Sequence, residues 1–126
     1  MDIEKHIHYW RSGAEEDLEV AEVLLEKKKY RYALFFAELA VEKLLKAHVV
    51  KTTKDVPPKI HDLLRLSDLS KISLTDEKRR ILARLQKYCL EGRYPECLPA
   101  APDCEEAKIV YGECREMVTW LTHQLI

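Results

Sequence analysis

The 126-residue chain is short of glycine, with only three, and nowhere do polar and apolar residues alternate with period two. The first shortage argues against a turn-rich all-β fold and the second against amphipathic strands. No apolar run approaches the roughly 18 uninterrupted residues that span a bilayer, and the opening MDIEKHIHYW lacks the apolar segment of a signal peptide. A cytoplasmic protein that does not enter a membrane is expected. Charge is balanced, 21 Lys+Arg against 22 Asp+Glu, so any nucleic-acid binding must come from a local patch. The four cysteines, Cys89, Cys97, Cys104 and Cys114, show no C-x-x-C spacing, which excludes a zinc knuckle and gives no disulfide framework.

Other chemistries are missing too. A di-iron bundle needs Glu-x-x-His on two helices, but the residues three before the histidines are Ile3, Lys5, Leu45, Pro58 and Trp120. Gly-rich phosphate loops, G-x-S-x-G and H-E-x-x-H are absent, and no cofactor or metal ligand set is read.

What is present is helical periodicity, in 47% apolar and 34% charged residues that suit one helical domain over residues 1–126. Ile3, Ile7, Trp10, Ala14, Leu18, Ala21 and Leu25 recur at steps of three and four, which predicts a long amphipathic helix ending near the Lys27 to Lys29 run. The second segment, YRYALFFAELAVEKLLKAHVV, is apolar nearly all round and should be central. Its polar exceptions Glu38, Glu42 and Lys46 fall on one stripe, with Glu42 and Lys46 oriented for an ion pair. Pro57 and Pro58 mark a loop, and a short third helix is expected to follow with Pro58 in its first turn. A fourth helix should open near Ser73 or Thr75 and stop at Gly92. Asp103 and Glu106 stand in capping-box spacing at the start of the last helix. The expected fold is an all-α, up-and-down antiparallel bundle of four main helices plus one short helix.

Between the last two helices lies LEGRYPECLPAAPD, a link stiffened by three prolines. It carries Arg93 and Tyr94, and the fourth helix beside it carries the basic stripe Arg80, Arg84 and Lys87. Local sequence favours a packed tyrosine, a paired arginine and a solvated stripe. Taken together, the same residues would form a phosphate-tracking surface. His61 and Asp62 offer a proton carrier, against the simpler role of first-turn hydrogen bonding; His48 reads as structural.

The order FFAELAVEKLLKAHV, HDLLRL, Tyr88 followed by RYP at 93–95, and EEAK in the last helix resembles the HEPN domain (higher-eukaryote and prokaryote nucleotide-binding), in a prokaryotic branch containing RYP. The resemblance covers about residues 8–125. It implies a dimerising helical bundle, commonly encoded beside a nucleotidyltransferase in toxin–antitoxin-type pairs, that binds nucleotide or RNA. Many members are metal-independent ribonucleases using an arginine and a downstream histidine separated by four to six intervening residues. Here Leu98, Pro99 and Ala100 occupy the corresponding positions after Arg93, so the expected acid–base group is missing. The resemblance assigns Arg93 to phosphate or the dimer, Tyr94 to packing or stacking, and Glu38, Glu42, Lys43 and Lys46 to interface or cleft polarity. A homodimer that binds RNA or nucleotide beside a nucleotidyltransferase is the expectation; a ribonuclease toxin and a non-catalytic protein adaptor are the alternatives.

Overall fold

A computed structural model describes all 126 residues. Five helices follow in order: α1 (Ile3–Glu26), α2 (Tyr30–Thr53), α3 (Leu63–Ser70), α4 (Asp76–Leu85) and α5 (Cys104–Gln124). There are no strands, as the missing alternation predicts. No helix is long and apolar enough to cross a membrane.

Helix α2 is the axis, packing against α1, α3 and α5. Its apolar circumference explains why: Leu34, Ala37, Val41, Leu44 and Leu45 are fully buried on several sides at once. Helix α1 returns its Ala14 and Ala21 face to α2 across a turn of only three residues, which forces the two to run antiparallel. Helix α5 closes the bundle with Ala107, Cys114 and Leu121. His48 fastens it by donating from Nε2 to the Leu121 carbonyl at 2.8 Å, the structural role expected of it.

Caps set most of the boundaries. Asp2, Asp62, Thr75 and Asp103 each accept from the backbone N–H three residues on, which satisfies one of the free donors of the first turn. Two expected boundaries differ. Pro58 is not in the first turn of α3: no helix forms over Pro57 and Pro58, and α3 waits for the Asp62 cap. Helix α4 does not reach Gly92, because it tightens to a 3-10 turn over Gln86–Tyr88 that turns Tyr88 and Cys89 into the protein. In the same turn the Gln86 side chain accepts from Leu63 N–H at 2.8 Å, tying the start of α3 to the end of α4. Gly92 still takes the left-handed conformation (φ +70°), now in the link. That link includes a second 3-10 turn, Pro95–Cys97, and Arg31 of α2 pins it by donating to the Pro99 carbonyl at 2.9 Å.

Candidate functional site

Midway along α2 a polar corner is gathered from three separate segments. The floor comes from α2, where a four-residue step returns to almost the same face of the helix. Glu38, Glu42 and Lys46 therefore lie in one row, 0%, 2% and 7% exposed. Lys46 Nζ donates to Glu42 Oε2 at 3.2 Å and sits 5.3 Å from the Trp10 ring centre, so its charge meets a carboxylate and an aromatic face instead of water. His61 enters from the loop before α3, its Nδ1 3.2 Å from both Glu42 oxygens. Its other nitrogen, Nε2, faces Glu91 Oε2 at 4.0 Å, so the α4–α5 link supplies the third wall.

Glu38 has no such partners. Neither carboxyl oxygen makes a hydrogen bond. Burial first, and the nearby Glu42 charge second, push its pKa up to about 9, while Lys46 and Arg93 oppose the shift. Glu38 is accordingly a neutral acid at pH 7. Cys89 borders the same corner, where burial, followed by Glu38, pushes its thiol up to about 11. Ligating atoms of Glu42, His61 and Cys89 lie within 4.8 Å of one another. Cys114 is a different case: it is fully buried in the bundle and burial raises its pKa, which keeps it an unreactive thiol.

The other sequence-predicted residues disperse around this corner. Lys43, one position from Glu42 and about 100° around the helix, crosses to α1 and lies 2.7 Å from Asp17 Oδ2. Gly13 makes room for it, since a Cβ there would come within 3.2 Å of Lys43 Cδ. Asp62 caps α3 by accepting from Arg65 N–H at 3.1 Å and points its chemistry at the backbone. Arg93 is exposed, has no carboxylate within ion-pair distance and makes one long bond, 3.4 Å, to the Cys97 carbonyl. Tyr94 is 72% exposed. The pair is therefore neither packed nor neutralised.

The basic stripe is mostly neutralised. Arg84 pairs with Glu113, and Lys87 Nζ lies 3.7 Å from Glu106 Oε1, both carboxylates belonging to α5. Arg80 stays exposed without an ion-pair partner. A groove of about 430 Å³ runs between Arg84, Lys87 and the acidic start of α5, and Arg93 does not line it. A second groove, about 540 Å³, is walled by Tyr9, Trp10 and Val56 and adjoins the corner through Trp10.

Sequence reasoning finds the α2 stripe and His61 but misses Cys89, Glu91 and Trp10. Trp10 reads as one more apolar position of α1, and nothing local marks Cys89 or Glu91, whose roles arise only when the link folds back over α2.

No curated protein matches the sequence. Among solved structures, the crystal structure of TT1696 from Thermus thermophilus superposes with a TM-score of 0.76 at 22% identity, covering 93% of this chain and 96% of that one, a likeness of fold. The HEPN domain family model matches residues 7–124 and so takes in every segment of the corner. With an all-helical bundle and a family match over nearly its whole length, the chain belongs to the HEPN domain family.

Proposed function

We propose that this HEPN-domain chain binds RNA or a nucleotide through Arg93 and Tyr94 at the mouth of the polar corner, as a homodimer and as one half of a toxin–antitoxin-type pair with a nucleotidyltransferase. The observation that carries this reading is the state of Arg93: a guanidinium left unpaired on a link held by prolines and by Arg31. A planar, permanently charged fork of this kind matches a phosphate, and an unpacked tyrosine next to it offers a stacking surface for a base. The buried Glu42 carboxylate in the corner would discourage a phosphate from entering deeper.

The test is anisotropy of a fluorescent single-stranded RNA and, separately, a fluorescent ATP analogue. Arg93→Ala should weaken binding about tenfold or more, equivalent to the roughly 1.5–3 kcal/mol of a charged hydrogen bond. The RNA should remain intact on a gel. Equal binding by wild type and Arg93→Ala would overturn the reading.

One observation favours the ribonuclease alternative. The histidine that is missing downstream of Arg93 has a spatial counterpart in His61, which approaches Glu91, two residues before Arg93, from another part of the chain. If RNA is cut in the presence of EDTA and both Arg93→Ala and His61→Ala abolish cutting, that reading replaces simple binding.

A further inference from the structure

We propose that Glu42, His61 and Cys89 form a binding site for a zinc-class divalent transition ion that clamps the loop before α3 and the turn after α4 onto α2. This goes beyond the RNA-binding reading and does not depend on it.

A carboxylate, an imidazole and a sulfur are the donor types such an ion takes, with bonds of about 2.0–2.2, 2.0–2.1 and 2.3 Å respectively. A tetrahedron with bonds of that length has N···O edges of about 3.3 Å. His61 Nδ1 lies 3.2 Å from each Glu42 oxygen, so the imidazole and the carboxylate already stand one edge apart. Cys89 is within 4.8 Å of both, and its sulfur needs to close by about 1 Å to complete a face. The fourth position is left for water.

The surroundings also fit. A metal-bound histidine usually hands its other ring nitrogen to a carboxylate, and His61 Nε2 faces Glu91. A bound carboxylate is itself held by a hydrogen bond, and Lys46 holds Glu42 Oε2, leaving Oε1 to the ion. On coordination the Cys89 thiol releases its proton to solvent and binds as thiolate. His61 is exposed at the rim, which gives the ion a way in.

The test is a cobalt(II) titration of the chelator-treated full chain, made without a polyhistidine tag. One cobalt per chain should bind, giving visible d–d bands and a near-ultraviolet thiolate-to-cobalt band, and zinc should displace it. Cys89→Ser should abolish the thiolate band, and His61→Ala should weaken binding tenfold or more. Cys97→Ser and Cys104→Ser should change nothing. Absence of saturable cobalt absorption overturns the proposal, as does a band that follows Cys97 or Cys104. Should Cys89→Ser lose its helical circular dichroism, His61→Ala decides: full affinity in that variant overturns the site.

Discussion

At the scale of single residues, Glu38 is the costly one. A fully buried carboxyl group with no hydrogen bond has given up water and received nothing in return. Glu38→Met keeps the shape and removes the polar oxygens, so it should raise stability by about 1–3 kcal/mol in urea unfolding. An unchanged or lowered midpoint would mean that the carboxyl has a partner after all. His48 makes a pH-dependent contribution. Burial lowers its pKa below the ordinary 6.5; its bond to Leu121 works the other way, and the nearby Lys51 charge adds to the lowering. The unfolded chain therefore takes this proton more readily than the folded one. The stability contributed by neutral His48 is whole above pH 6.5 and is lost as the pH falls through the folded value. His48→Gln, which can still donate to the Leu121 carbonyl, should flatten the fall in urea midpoint on going from about pH 7 to about pH 5. These residues differ in how legible they are. Glu38, Glu42 and Lys46 can be read from sequence because polar residues four apart interrupt an apolar helix. The meeting of His61 with Glu91 joins distant parts of the chain and depends on a tight turn that no local signal announces.

Among the elements, three helix ends carry a lysine where glycine would sit more easily. Lys28, Lys54 and Lys71 have φ of 61°, 60° and 57°, the left-handed region that strains any side chain with a Cβ. Lys54 and Lys71 are exposed cap residues of α2 and α3. Lys54→Gly and Lys71→Gly should each add about 0.5–1 kcal/mol in equilibrium unfolding without altering ligand binding. A loss in either variant would show that the lysine's own contacts outweigh the strain. The starts of α4 and α5 were readable, because a cap is local chemistry: Asp103 with Glu106, and Thr75 before α4, act within one turn. Element ends depended on distant partners. Gly92 is a sound local signal for the end of α4, yet the helix stops earlier because Tyr88 and Cys89 are drawn into the core and Gln86 is engaged by α3. Pro58 suits a first turn, but Asp62 offers a better start four residues later.

For the whole molecule, charge decides how any polyanion is held. The chain is nearly neutral, and the two basic residues that would extend a surface beyond Arg93 are neutralised by Glu113 and Glu106. Arg80 and Arg93 are the members of the predicted set left without such partners. Two identical chains that share one ligand would double the free cations without altering the fold, which gives dimerisation a measurable electrostatic signature. Sedimentation equilibrium at tens of micromolar should give twice the 14.8 kDa chain mass. Single-strand RNA binding should weaken with salt at a log–log slope of about −0.7 for each phosphate neutralised. One or two contacts per chain then predict a slope of roughly −1.4 to −2.8 for a dimer and about half that for a monomer. Arg93→Ala should make the dimer's slope shallower by about 1.4, because the substitution removes a contact from each protomer. A steeper wild-type slope would mean that Arg84 and Lys87 leave their carboxylates to meet RNA, and Glu106→Gln with Glu113→Gln should then tighten binding.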